Sequence, residues 1–284
     1  MKNLTDKTVA ITGATGGLGK EICVYLVASG ASLILLDRNV EKSKALGESL
    51  LKAYPQAKIH YITTDLEDFQ SVKDCCEIIK NMDFDVFIHN AGAYSIPRKT
   101  CKTGYDNVFQ INFISPYYMI RELLPKLRKK KGSRVIIVGS IAHNYSKSDE
   151  NDIDFSTRKA SSKVYGNAKR YLMFSLFELF KGEKNVSLAV THPGITFTNI
   201  TAHYPKPIFA IIKHPMKIIF HSPKKAALCI FEGMFQKCAY HEWIGPRFFD
   251  IWGKPKLKKL TTCKEAESKY IGKTAEDIYT KLRS

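Results

Sequence analysis

A phenol and an amine stand four residues apart in Tyr165-Gly166-Asn167-Ala168-Lys169, a spacing that places both on one face of a helix. An unperturbed tyrosine, with a pKa of about 10, is a poor base near neutrality. A nearby lysine cation favours the phenolate, and the protonated phenol can donate to a carbonyl oxygen. The pair could therefore move a proton to or from an alcohol oxygen. Taken alone it is also a common surface arrangement, so its meaning depends on its company. Ser140 follows the apolar run Val135 to Val138 and Gly139, which sets its hydroxyl at the carboxyl edge of a strand, where open α/β sheets bind ligands. His89-Asn90-Ala91-Gly92 ends the run Val86 to Ile88 at the same edge. Asn112 interrupts the apolar stretch Phe109 to Met119, where an amide is either a satisfied core group or a polar part of a site.

A second kind of chemistry is written near the start. Thr12-Gly13-Ala14-Thr15-Gly16-Gly17-Leu18-Gly19 follows the apolar run Val9-Ala10-Ile11 and opens a segment with helical spacing at Leu18, Ile22 and Leu26. Glycines between a strand and a helix let the backbone approach a pyrophosphate, and the helix N-terminus offers free N–H groups. The spacing is T-G-x-x-x-G-x-G rather than G-x-G-x-x-G, and glycines without the flanking strand and helix would be weak evidence. The next strand ends at Asp37, where a carboxylate can accept from the adenosine ribose hydroxyls. Asp37 repels a 2′-phosphate and favours NAD(H); its neighbour Arg38 could pair with that phosphate and favour NADP(H). NAD(H) is the favoured cofactor and NADP(H) the alternative, because an anion beside an anion must first be neutralised.

Short apolar runs alternating with amphipathic segments over the first two hundred residues predict repeated βα units and a parallel sheet. The expected strands are Val9 to Ile11, Leu33 to Leu36, Ile59 to Ile62, Val86 to Ile88, Val135 to Val138 and Leu188 to Val190. No repeat, low-complexity tract or Gly/Ser linker divides the chain, so residues 1–284 read as one α/β domain, a Rossmann-type doubly wound sheet. Two segments break the rhythm. Residues 141–161 are polar and read as a long loop, often a functional feature. Residues 202–222 mix three prolines with Phe209, Ile211, Ile212, Met216, Ile218, Ile219 and Phe220, and with interleaved Lys206, Lys213 and Lys217.

On these residues the sequence resembles the short-chain dehydrogenase/reductases, and within them the retinol-dehydrogenase-like group, over nearly its whole length. Thr12, Gly13, Gly17 and Gly19 match the family's cofactor turn, and Asn90-Ala91-Gly92 its N-A-G motif. Asn112, Ser140, Tyr165 and Lys169 match its catalytic tetrad, and Pro193-Gly194 with Thr198 the nicotinamide-side loop. The resemblance implies an adenine-side contact at Asp65 and further cofactor contacts at Thr15, Leu18, Leu66 and Thr196. It implies Tyr165 as acid/base, Lys169 lowering its pKa and holding the nicotinamide ribose, Ser140 bonding the substrate oxygen, and Asn112 holding a relay water. It also implies a substrate lid at 202–222, whose apolar residues suggest a hydrophobic alcohol or carbonyl compound such as a steroid or retinoid-like lipid, and a homo-oligomer. Gly139 and His89 depart from the serine and asparagine of many relatives.

Composition sets the outer limits. An apolar fraction of 44% is that of a globular protein rather than a disordered one. No stretch approaches the roughly 20 apolar residues of a membrane span, and no signal region precedes the first strand; the expected location is cytoplasmic. Seven cysteines, an odd number without C-x-x-C spacing, predict reduced thiols and no metal site. The net charge of +17 could serve nucleic acid or an anionic membrane. The clusters Lys126, Arg128, Lys129, Lys130, Lys131 and Lys254, Lys256, Lys258, Lys259 lack the interleaved aromatics of a stacking platform, so no nucleic-acid partner is expected. The lysines of 202–222 permit weak membrane-surface contact. The rival class is a non-catalytic dinucleotide-binding regulator on the same fold; such proteins commonly lack the Tyr/Lys pair.

Overall fold

The computed structural model describes residues 3–195 and 222–284. Eight strands form one sheet: β1 (Thr8–Thr12), β2 (Ser32–Asp37), β3 (Ile59–Thr63), β4 (Val86–His89), β5 (Arg134–Val138), β6 (Ser187–Thr191), β7 (Glu242–Phe248) and β8 (Trp252–Lys259). Their order is β3-β2-β1-β4-β5-β6-β7-β8. The first seven run parallel, and β8 returns antiparallel on β7. The first six strands are those expected from the apolar runs. The strand order reverses between β1 and β4, which opens a crevice at their carboxyl ends.

Side-chain alternation explains why both faces are covered. Ala10, Ile34, Leu36, Phe87, Val135, Ile137, Leu188 and Val190 point into one core. Val9, Ile11, Leu33, Leu35, Val86, Ile88, Ile136 and Ala189 point into the other. Strands buried on both faces have no polar side to show, hence the continuous apolar runs. The second core is closed by α1 (Gly17–Ala28), α2 (Val40–Ala53) and α7 (Pro223–Glu232). The first is closed by α3 (Phe69–Lys80), by α5 (Ser115–Leu127), by α6 (Ser161–Leu179) and by α8 (Glu265–Arg283). The short α4 (Asn107–Phe109) runs through a π-helical turn, Gln110–Ile114, directly into α5. Helix α1 stops at Ala28, just before Gly30, whose φ of +92° suits the left-handed turn that follows.

The two segments singled out in the sequence fare differently. Residues 141–161 contain a 3₁₀ turn, Ile141–Tyr145, and then irregular chain up to α6. Phe155 anchors this stretch in a small cluster with Val108 and Val164. Arg98 ties it further, donating to the Phe155 and Arg158 carbonyls while pairing with Asp106. The predicted lid falls outside the described residues, apart from Ser222, which caps α7 by accepting from Lys225 N at 3.4 Å.

One buried ion pair locks the C-terminal helix to the centre. Arg170 of α6 is 1% exposed and holds Glu267 of α8 through two parallel bonds of 2.7 and 2.6 Å. Its remaining donors reach the carbonyls of His143 and Thr262. Glu267 also accepts from the backbone and hydroxyl of Ser148, joining the 141–161 segment to both helices. These bonds to the charged form outweigh burial and hold the Glu267 carboxyl down at about 2.

Candidate active site

The glycine turn has the shape of a cradle. Gly13, with φ +69°, lies so close to Ala91 that a Cβ would come within 2.8 Å of its Cα. A Cβ on Gly19 would sit 2.1 Å from the Gly13 carbonyl oxygen, so the helix can start here only with glycine. At Gly17 a Cβ would meet nothing within 4 Å. Gly16, the N-cap, offers no side-chain acceptor to the first turn of α1. An open space facing uncapped N–H groups is what a dinucleotide pyrophosphate requires, so these residues fit that group. Thr15 donates its hydroxyl (3.0 Å) and backbone N–H (3.3 Å) to Asp37. Ser43 donates to the other Asp37 oxygen at 3.1 Å. Burial raises the Asp37 carboxyl above its ordinary value, against these bonds. Arg38 is exposed and forms no side-chain hydrogen bond or ion pair among the described residues. Asp65 folds its carboxylate onto Glu67 N, and the Leu66 carbonyl accepts from Ser115 Oγ at 2.6 Å and from Gln110 Nε2 at 3.3 Å.

The end of β4 is wired to this turn. Asn90 Nδ2 donates to the carbonyls of Thr12 (3.3 Å) and Gly13 (2.8 Å). Thr12 Oγ1 accepts from the N–H groups of Asn90 (3.2 Å) and Ala91 (3.1 Å). A hydroxyl has one hydrogen and two lone pairs, so its third contact, His89 Nδ1 at 3.0 Å, must receive the Thr12 proton. The His89 proton is thereby assigned to Nε2, which is buried without a partner among the described residues. Burial, with Lys169 nearby, holds this histidine well below its ordinary pKa and therefore neutral.

The four proposed catalytic residues converge beyond the same sheet edge. Lys169 is 2% exposed, donates to the Val138 carbonyl at 2.9 Å, and lies 5.7 Å from the Tyr165 ring centroid. Burial pushes its ammonium down to about 8. Tyr165 is raised to about 12 by burial, partly offset by a hydrogen bond with Ser140. Ser140 begins the 3₁₀ turn and accepts from Ala142 N at 3.2 Å. Gly166 permits the close fit of this turn on α6, since a Cβ there would fall 2.2 Å from the Ala142 carbonyl oxygen. Tyr94 packs edge-on against Tyr165 at 5.3 Å. Asn112 sits in the π turn, a feature frequent at functional sites. Its amide donates to the carbonyls of Ala93 and Val108, both at 2.8 Å, and accepts from Ala93 N. Both amide hydrogens are thus engaged; a relay water would have to be held by an acceptor of this turn, not by the Asn112 N–H groups.

Sequence reasoning missed two supporting histidines. His143 reaches the Ser140 carbonyl through Nδ1 (2.6 Å) and Thr262 Oγ1 through Nε2 (2.7 Å), fixing the Ser140 backbone. His192 stacks on Trp243 at 4.8 Å and meets the Asp250 carbonyl through Nε2. Burial holds them at about 4 and about 3, so both are neutral. Their type gave no signal, because a histidine in a core looks the same in sequence as one in a site. Gly139 also has a local cause: a Cβ would lie 2.8 Å from Met173 Sδ, which fills the space. Gly194, at φ +81°, is pressed against the Ile251 carbonyl, while Thr196 and Thr198 lie outside the described residues. All seven cysteines are free thiols. Among the described residues no cluster of His, Cys, Asp or Glu could hold a metal, and no helix is long and apolar enough to cross a membrane.

Comparison with known proteins supplies the family. The short chain dehydrogenase profile matches residues 7–207. The chain belongs to that family, and its similarity lies with the retinol-dehydrogenase-like members. Retinol dehydrogenase 13 of Homo sapiens is 29% identical over 205 residues, covering 70% of this chain and 62% of that protein. A WW domain-containing oxidoreductase of Gallus gallus is 30% identical over 205 residues, covering 68% and 50%. The chain thus spans between half and two thirds of the length of these relatives. Among solved structures, an uncharacterised protein from Mycobacterium paratuberculosis aligns with TM-score 0.75 at 21% identity, covering 99% of this chain and 95% of that one. L-sorbose reductase from Gluconobacter frateurii, complexed with NADPH and L-sorbose, aligns with TM-score 0.62 at 18% identity, covering 83% and 94%. These structures share the fold.

Proposed function

We propose that the protein is a nicotinamide-dinucleotide-dependent oxidoreductase that interconverts a hydrophobic alcohol and the matching ketone or aldehyde. The observation that carries this reading is the grouping of Tyr165, Ser140 and buried Lys169 beside the open glycine cradle. The bound nicotinamide would take or supply the hydride. Tyr165 Oη removes the alcohol proton in oxidation and returns it to the carbonyl oxygen in reduction. Ser140 Oγ, close enough to that phenol to favour its ionised form, orients the substrate oxygen. Lys169 stabilises the phenolate and holds the nicotinamide ribose. Asn112 shapes the π turn and braces the Ala93 backbone beside the cofactor strand. Gly13, Gly17, Leu18 and Gly19 hold the pyrophosphate, with Thr12 fixing the turn through its bonds to His89, Asn90 and Ala91. Asp65 and Leu66 hold the adenine side, and Pro193, Gly194, Thr196 and Thr198 the nicotinamide side.

NAD(H) is the better-supported cofactor. Asp37 is bonded only to hydroxyls and N–H groups, with no cation paired to it among the described residues, so its charge stands uncompensated against a 2′-phosphate. NADP(H) is the second reading, favoured by the exposed guanidinium of Arg38. A hydrophobic substrate, of the steroid or retinoid-like kind, is supported by the apolar composition of residues 202–222 and by Ile96, Val108, Phe155 and Val164 packed beside Tyr165.

The test is a screen of hydrophobic alcohols and ketones with NAD(H) and NADP(H) in parallel, read at the nicotinamide absorbance. Turnover with at least one pair is expected. Tight dinucleotide binding with no turnover across the screen would favour the non-catalytic regulator instead.

A further inference from the structure

The β7–β8 hairpin ends in Phe248-Phe249-Asp250-Ile251-Trp252, and its aromatic side chains face outward. Phe248 is 49% exposed, Phe249 81% and Trp252 41%. Elsewhere among the described residues the exposed large hydrophobics are scattered, and scattered ones need no explanation. The backbone here is unusual too. Phe249 and Asp250 both adopt left-handed φ, +51° and +57°. A bulky residue in that region is an outlier that persists only where its surroundings impose it.

Those surroundings are visible. The Asp250 carboxylate takes Lys258 Nζ at 2.5 Å, and its carbonyl meets His192 Nε2 at 3.1 Å. The Ile251 carbonyl presses on Gly194, leaving no room for a Cβ. The tip is thus fixed from inside while its rings point out. Along the hairpin itself the charge is nearly all of one sign. Between Trp243 and Leu260 the only acid is Asp250, already paired, against Arg247, Lys254, Lys256, Lys258 and Lys259. Arg247, Lys254, Lys256 and Lys259 are exposed, and the Arg247 guanidinium lies 5.5 Å from the Phe248 ring.

We propose that this hairpin tip docks the protein on an anionic phospholipid bilayer, with Phe248, Phe249 and Trp252 entering the headgroup region and the flanking cations meeting lipid phosphates. Aromatic rings favour that interface, and basic residues near an anionic leaflet add electrostatic attraction. A nucleic-acid strand fits less well: its bases need rings spaced along a groove, and here they crowd one turn. Because the tip abuts the Pro193-Gly194 loop, docking would bring a hydrophobic substrate from the membrane to the site. That consequence rests on the proposed function; the docking does not, and its test uses no turnover.

The full chain is mixed with phosphatidylcholine vesicles with or without phosphatidylserine and followed by flotation and tryptophan emission. Trp243 is 3% exposed, so Trp252 dominates any change. Flotation with phosphatidylserine vesicles is expected, weakening with salt, with a blue shift and quenching by brominated lipid. Phe249→Ser, at an exposed position, should weaken binding about tenfold without lowering Tm. Absence of flotation overturns the proposal. So does flotation indifferent to Phe249→Ser but abolished by Lys254→Glu with Lys256→Glu, which means diffuse charge attraction. Protection of Trp252 from acrylamide before vesicles are added also overturns it, because another segment or a second copy then covers the tip. Binding of a single-stranded oligonucleotide in place of vesicles would assign the surface to nucleic acid.

Discussion

At Lys169 burial and function pull against each other. An ammonium at 2% exposure is destabilised to a pKa near 8, yet the proposed chemistry needs it charged beside Tyr165. Its folded pKa lies below the ordinary lysine value, so the unfolded chain binds the extra proton between about 8 and 10.5. Stability attributable to this residue must therefore rise with pH across that window, by up to about 1.4 kcal/mol per unit. Lys169→Met should lack this rise, and chemical denaturation of both proteins at several pH values measures it; parallel pH profiles would disprove the burial. The phenol is the other half of the argument. Without cofactor Tyr165 is held near 12, so it becomes a base only when further positive charge arrives. Tyr165→Phe should lower turnover on a good substrate by about 10²–10⁴-fold with little change in dinucleotide binding; a loss within about tenfold would remove the phenol from the chemistry.

The decisive contact between elements is Arg170 with Glu267, which fastens α6, α8 and the Ser148 segment at one point. Removing one member leaves a charge buried and unpaired. Glu267→Gln is therefore expected to lose about 3–5 kcal/mol of unfolding free energy at neutral pH. The pH sign follows from the depressed pKa. The stabilisation is complete above the ordinary carboxylate range and is lost as pH falls from about 4.5 to about 2. Urea melts at pH 7 and pH 3 should show the wild-type advantage shrinking; an advantage that stays constant would contradict the pairing. The lysines of β8 also become intelligible at this scale. Among the described residues β8 is the outer edge of the sheet, and Lys254, Lys256 and Lys259 are exposed along it with Pro255 between the first two. Charge and proline on an edge discourage another strand from adding.

For the whole molecule, cofactor binding and stability are one equilibrium. A dinucleotide present at about 100 times its Kd adds about 2.7 kcal/mol, a Tm rise of several degrees in a chain of this size. NAD(H) should give the larger rise, and Arg38→Ala should erase whatever NADP(H) gives; a larger rise with NADP(H) would reverse the preference drawn from Asp37. Much of α6 is buried within its own chain, from Gly166 to Phe177, with α8 among the elements against it. The homo-oligomer implied by the resemblance would therefore have to use another face. Part of the basic cluster at 126–131 is paired locally, Arg128 with Glu183 and Lys130 with Asp83 and Asp85, so the net +17, which already counts these acids, is carried by other basic residues.

Periodicity is enough to predict six parallel strands, and glycine placement a turn that could approach a pyrophosphate; the grouping of Asn112, Ser140, Tyr165 and Lys169 is implied by the resemblance, not by periodicity. These are local patterns: an apolar run covered on both faces, a turn that requires glycine at positions 13 and 19, two side chains one helical turn apart. Contacts between distant parts of the chain were not legible. Nothing in the sequence said that Asp37 would be capped by Thr15 and Ser43, that both Asn112 amide hydrogens would be engaged, or that His143 would reach from Ser140 to Thr262. Nor did a run of lysines reveal that β7 and β8 extend the sheet, or that Phe248, Phe249 and Trp252 would be turned outward together. The residue types alone determined which chemistry was available. Tertiary packing decided which of those groups are charged, paired or free, because burial and partnership depend on neighbours that only the folded chain supplies.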